Sequence, residues 1–170
     1  ISGSTACGVF INNTDNVGFR VSNTTDLTNV LISGSELNGN RIGVYLVHGS
    51  SANTVVDSMY ITNTTFNNNH QKGFYAEKLS NTIFDNVTVQ SSGTDPTYGF
   101  NNGIDINLKW RDYENIAIKN SSITDCGYTG IASDSTNPAA IAIKARDDGS
   151  SYGSDPASLD SVYLYNNTIT

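Results

Sequence analysis

One six-residue pattern recurs five times along the chain: apolar, polar, Asn or Ser, then a strand-like apolar-x-apolar run. The copies are Leu27–Ile32, Val56–Ile61, Leu79–Phe84, Tyr113–Ile118 and Leu159–Leu164, with Thr82 opening the apolar-x-apolar run of the third. Two residues past each copy sits Gly34, Asn63, Asn86, Asn120 or Asn166, and three further on comes Leu37, Phe66, Val89, Ile123 or Ile169. A further strand-like piece opens on glycine at Gly43-Val44-Tyr45-Leu46, Gly73-Phe74-Tyr75-Ala76 and Gly103-Ile104-Asp105-Ile106. Its fourth counterpart is either Gly130-Ile131-Ala132 or Ala140-Ile141-Ala142-Ile143, and residues 8–21 read as an earlier, less regular turn.

Alternation of apolar positions gives short strands with one buried face. No single repeat can bury a core, so repeats must stack, each strand pairing with its counterpart one turn away. The reading is all-β, a parallel β-helix of about six coils over one domain, residues 1–170. A β-sandwich is the alternative, but it needs no fixed Asn register. The strand starts at 30, 59, 82, 116 and 162 differ by 29, 23, 34 and 46, which puts loop insertions near 91–102, 127–140 and 146–158. Asn63, Asn86, Asn120 and Asn166 are expected to form an interior hydrogen-bonded ladder. The repeat is in mid-turn at Thr170, and no capping helix is read ahead of the first turn within the sequence. The expectation is a segment of a longer β-helix, joined to flanking coils or stacking end to end.

Composition supports this. Twenty-two Asn, 18 Thr and 20 Ser against three Glu and eight Leu disfavour helix. With 37% hydrophobic residues, nine Tyr and six Phe, a core can be filled. A net charge of −7 disfavours nucleic acid as a partner, without excluding a local basic patch. No apolar window is long enough for a membrane span. The composition leans towards a secreted or cell-surface setting.

The Asn-Val-x-Ile-type strand, the Asn turn and the Gly-Ile strand resemble the right-handed parallel β-helix superfamily of pectate lyases and polygalacturonases, over nearly the whole chain. That resemblance implies a right-handed coil and polysaccharide as the substrate class. Asn101-Asn102-Gly103-Ile104-Asp105-Ile106 is similar to the strand carrying a catalytic Asp in polygalacturonases. This chain has Asn102 where that family has Asp, and the stretch matched to the family's second Asp is Thr124-Asp125-Cys126-Gly127, which lacks the pair. An inverting glycosidase needs both carboxyl groups.

Registering the glycine strands on one another stacks Tyr45, Tyr75, Asp105 and Ala142 in one outward column, and Val47, Glu77, Asn107 and Lys144 in the next. Lys109, Trp110, Arg111, Asp112, Arg146, Asp147 and Asp148 follow nearby. One reading is a sugar-acid site. Lys109, Arg111, Lys144 and Arg146 would bind a substrate carboxylate or move its proton, with Asp105 as a further catalytic candidate. Tyr45, Tyr75, Glu77, Asn107 and Trp110 would contact the sugar. No cofactor is required, although Asp105, Asp147 and Asp148 are candidates to hold Ca²⁺. The other reading is a solvated face of locally paired charges with Asp105 exposed.

Asn-x-Ser/Thr occurs at Asn12, Asn23, Asn63, Asn86, Asn120 and Asn166, but an interior ladder could not carry glycans. Cys7 and Cys126 lie some four coils apart. At roughly 4.8 Å per coil they exceed the roughly 7 Å reach of a disulfide, so both are expected free and mostly buried. His48 and His70 are expected at the surface. A Thr-x-Thr-like column at Thr65/Asn67, Thr88/Gln90, Ser122/Thr124 and Thr168/Thr170 resembles ice-binding solenoids, although β-propensity also explains it. Three functions are therefore carried forward: a structural or adhesive module binding glycans on one face, a uronate lyase, C5-epimerase or glycosidase, and an ice-binding solenoid.

Overall fold

The computed structural model describes residues 14–49, 53–127, 130 and 138–170. The chain begins β1 (Val17–Val21), β2 (Leu27–Ser33), β3 (Ile42–Leu46), β4 (Val56–Thr62), β5 (Lys72–Ala76), β6 (Thr82–Asp85) and β7 (Thr88–Gln90). It continues β8 (Asn102–Leu108), β9 (Asp112–Lys119), β10 (Ser122–Thr124), β11 (Ala139–Ala145), a short helix α1 (Gly149–Tyr152), β12 (Ser158–Tyr165) and β13 (Thr168–Ile169). The expected loop near 146–158 therefore holds a helical turn, whereas most of the expected loop 127–140 lies outside the described residues.

The strands form three parallel sheets, ordered β1-β3-β5-β8-β11, β2-β4-β6-β9-β12 and β7-β10-β13. Each strand pairs with its counterpart one round of the chain later, as in Ile32↔Ile61, Ile61↔Phe84, Phe84↔Ile118 and Ile118↔Leu164. The repeat's apolar columns become the core: Ile61, Phe66, Phe74, Phe84, Val89, Ile104, Ile106, Ile118 and Ile123 are all 0% exposed. Phe74 packs edge-on against Phe66 and Phe84, with centroids 6.1 and 4.8 Å away. Of the two candidates for the fourth glycine strand, Ala139–Ala145 pairs with β8. Residues 8–13, Cys7, Asn12, Ile131 and Ala132 lie outside the described residues.

The Asn turn has a different cause from the expected interior ladder. Asn63, Asn86, Asn120 and Asn166 are exposed and left-handed, with φ of 50, 55, 51 and 55°. Gly34 holds the same place at φ 54°. Asn and Gly adopt this conformation most readily, because their short or absent side chains avoid the clash that penalises other residues. Similar corners recur at five-residue intervals, as at Ser58, Asn63 and Asn68, at Asn81, Asn86 and Ser91, and at Asn115, Asn120 and Asp125. The exposed amides still join in part: Asn86 Nδ2 donates to Asn63 Oδ1 at 2.6 Å, and Asn166 Nδ2 to Asn120 Oδ1 at 3.4 Å. Since the column is exposed, burial no longer argues against glycans there.

The interior polar ladder is built from other residues. The backbone N–H of Asn40 donates to Asn69 Oδ1, and that of Asn69 to Ser92 Oγ. Asn69 Nδ2 and Ser92 Oγ donate to the carbonyls of Leu37 and Phe66, and Cys126 Sγ takes the corresponding place one round later, 3.4 Å from the Val89 carbonyl and 3.1 Å from that of Thr124. Cys126 is a free cysteine, half-buried, and burial pushes its thiol pKa up.

Glycines set the spacing behind the third strand of each round. A Cβ on Gly73 would lie 2.7 Å from the Gly103 carbonyl oxygen and 2.8 Å from Val89 Cγ1, and Gly43 meets the Gly73 carbonyl likewise. Gly73 thus faces the core, as does Phe74 after it. Two consecutive residues facing inward break the alternation and turn Lys72 to the outside.

Candidate functional site

The outer face of the β3, β5, β8 and β11 strands carries a cleft of about 370 Å³. Its floor is laid by register. Tyr45 pairs with Tyr75, Tyr75 with Asp105, Asp105 with Ala142 and Asn107 with Lys144. The Tyr45 and Tyr75 rings stack at 4.8 Å, tilted by 33°. Arg41, Lys72, Lys109, Lys144 and Arg146 also line the cleft. The sequence reading missed Arg41 and Lys72. Lys72 precedes the glycine of its repeat, as Ile42 and Asn102 do, and lies in register with both.

Asp105 is not the exposed carboxylate that a solvated face implies, being only 1% exposed. Lys72 Nζ donates to its Oδ2 at 2.5 Å and lies 3.7 Å from the centre of the Tyr75 ring. Burial lowers the Lys72 pKa, and Asp105 opposes that shift. Asp105 Oδ1 has Lys144 Nζ as its ion-pair partner, 3.1 Å away. Asn107 Oδ1, also buried, accepts no hydrogen bond. A buried acceptor without a donor is costly. Asn107 Oδ1 is therefore a ready place for a ligand hydroxyl.

Glu77 organises the neighbouring column. It is buried and accepts from Tyr75 OH at 2.8 Å, Lys109 Nζ at 2.6 Å and the His48 backbone N–H at 2.8 Å. Asn107 Nδ2 donates to Tyr75 OH at 3.2 Å. Burial, with Glu77 next, pushes the Tyr45 phenol up to about 12 and raises Tyr75 as well. Both therefore stay neutral rings near neutral pH, suited to stacking and hydrogen bonding.

The remaining predicted residues divide. Arg146 lines the cleft and forms a bidentate pair with Asp148, which raises its pKa. Trp110 stands beside the cleft, its ring 5.1 Å from those of His48 and Tyr152 and its Nε1 donating to the Ser151 carbonyl. Arg111 is not brought to the cleft. It lines a separate hollow with Asp57, Asp112, Glu114 and Asp160, its guanidinium beside the Tyr113 ring. Asp105, Asp147 and Asp148 are not gathered for calcium. Asp105 pairs with lysines, Asp148 pairs with Arg146, and among the described residues no group of three or more His, Cys, Asp or Glu is arranged to hold a metal.

Two other expectations are corrected. His48 is buried at 4% exposure, beneath Trp110, whereas His70 is exposed beside Asp95. The neighbour of Asn102 in the next round is Ala139 and not the Thr124–Gly127 stretch, so this place also lacks the second Asp of the polygalacturonase scheme.

Among the described residues no helix is long and apolar enough to cross a membrane. Comparison with protein-family models, with curated proteins and with solved structures returns no match.

Proposed function

We propose that this chain is a right-handed parallel β-helix module, secreted or at a cell surface, that serves as a rigid adhesive scaffold and grips an acidic glycan in the cleft over β3, β5, β8 and β11. The coil reading is supported by strands that visit three parallel sheets in turn, and by the strong right-handed preference of parallel crossovers. The binding reading rests on one observation above all. Five of the nine Lys and Arg residues of a chain with net charge −7 line this single cleft, around two stacked tyrosines. Lys72 is largely committed to Asp105, and Lys109 to Glu77. Arg41 lines the cleft as well, and Lys144 and Arg146, although paired with Asp105 and Asp148, stay 45% and 29% exposed and can meet a carboxylate or sulfate from their open sides, while the tyrosine rings meet sugar faces. On this reading flanking coils or another copy cover Val162, Leu164 and Ile169, which continue core columns yet are 42–49% exposed.

A second reading, a lyase or epimerase acting on uronates, is favoured by the buried Lys72–Asp105 pair, since a desolvated amine beside a carboxylate can handle a proton. Incubation with pectate and alginate, with and without Ca²⁺, separates the two. Binding by affinity electrophoresis without growth of the ultraviolet absorbance of an unsaturated uronate, and without C5 inversion by NMR, is the expected result. Turnover abolished by Lys72→Met or Lys144→Ala would overturn the scaffold reading in favour of the enzyme.

A further inference from the structure

Phe100 is the most exposed large apolar side chain among the described residues, at 60%, and its backbone is left-handed at φ 58°. A bulky residue in that conformation carries strain that Gly or Asn would not. Burial does not explain it, because so little of the ring is covered. Phe100 lines the cleft at the start of β8. At the other end of the same strand, Trp110 is also left-handed, at φ 56°, directly after the cleft residue Lys109. Trp110 is held by packing against His48 and Tyr152, whereas Phe100 is not, and strained residues without a packing reason concentrate at ligand-binding sites.

The cleft is oriented accordingly. Arg41, Gln71 and Phe100 line it where β3, β5 and β8 begin, and Lys109 and Arg146 line it where β8 and β11 end. Asp105, paired with Lys72 and Lys144, and the unmatched buried acceptor Asn107 Oδ1 stand between. The seven residues of β8 span about 20 Å at the usual strand rise.

We infer that the cleft takes an extended oligosaccharide lying along the strands, with Phe100 as a stacking platform under one end and the Trp110–Tyr152 ring pair flanking the other. The inference rests on the acidic-glycan reading of the same cleft and adds the ligand's length and direction. A monosaccharide reaches the Tyr45–Tyr75 floor or one aromatic end, but not both ends together. The strain at Phe100 is then retained for binding and not for folding.

The test is calorimetric titration of the full chain with di-, tetra- and hexagalacturonate, using wild type, Phe100→Ala, Phe100→Gly and Lys144→Ala. Affinity is expected to rise at least tenfold from the dimer to the hexamer. Phe100→Ala and Phe100→Gly should each remove about tenfold of hexamer affinity and leave the dimer unchanged, whereas Lys144→Ala weakens both. Phe100→Gly should also raise Tm, by about 2–4 °C, which a packing role would not do. Equal affinity at all lengths, or a hexamer affinity untouched by either Phe100 variant, overturns the inference and leaves the acidic-glycan reading standing. No binding of any oligomer to wild type overturns both.

Discussion

At the scale of single residues, the cleft depends on Lys72. Its side chain is 6% exposed and that of Asp105 is 1% exposed, so neither charge is well solvated without the other. Breaking a buried pair by removing one partner typically costs about 3–5 kcal/mol. Lys72→Met is expected near the lower end, about 3 kcal/mol by urea denaturation, because Lys144 still faces Asp105. Lys144→Met should cost under about 1 kcal/mol, since that side chain is 45% exposed. Equal effects would mean that the two lysines share Asp105 evenly. His48 adds a pH dependence. Burial holds its imidazole below the ordinary value, with Lys78 and Lys109 nearby acting in the same direction and Glu77 and the Gly49 carbonyl against it. The unfolded chain takes up this proton near pH 6.5, and the folded chain only at lower pH. Below about pH 6.5 the unfolded state therefore binds more protons and stability falls, until pH drops past the folded value. Urea midpoints measured between about pH 7.5 and 5.5 should show this slope reduced in His48→Gln. An unchanged slope would assign it to other groups.

Among the elements, the strands were the readable part of the sequence and the corners were not. Alternation around Ile61, Phe84 and Ile118 identifies the strands and their register, because apolar residues at period two have one way to reach a common core. Tyr45 over Tyr75 followed from the same register. A recurring Asn, however, has two physical causes, an interior amide ladder or a left-handed corner, and spacing alone does not separate them. The interior ladder runs through Asn40, Asn69, Ser92 and Cys126, whose mixed identities conceal the column. Lys72 was hidden for a related reason. Strict alternation does not anticipate Gly73 and Phe74 both facing inward. Two substitutions test these causes. Asn86→Gly should be nearly neutral while Asn86→Ala costs about 1–2 kcal/mol, and equal costs would return the weight to the amide hydrogen bonds. Gly73→Ala should cost about 1–3 kcal/mol by overpacking against the Gly103 carbonyl, and a neutral result would show that the sheet spacing gives way freely.

For the whole molecule, charge is divided between faces. The β3, β5, β8 and β11 face gathers Arg41, Lys72, Lys109, Lys144 and Arg146, while the hollow beside β4 and β9 gathers Asp57, Asp112, Glu114 and Asp160. A net charge of −7 conceals this division, which is why composition alone pointed away from anionic partners. Only folding brings positions as far apart in sequence as Arg41 and Arg146 to one cleft. The account predicts that location, and not total charge, governs binding. Lys144→Glu and Lys119→Glu change the net charge equally, but Lys119 lies on β9, outside the cleft, where it pairs with Asp85. The deciding measurement is the affinity of hexagalacturonate for these two variants and for wild type in the same low-salt buffer. The cleft account predicts that Lys144→Glu abolishes binding and Lys119→Glu leaves it within about twofold, the scale of an unscreened distant charge. Equal loss in both variants, or binding that survives Lys144→Glu, would contradict it.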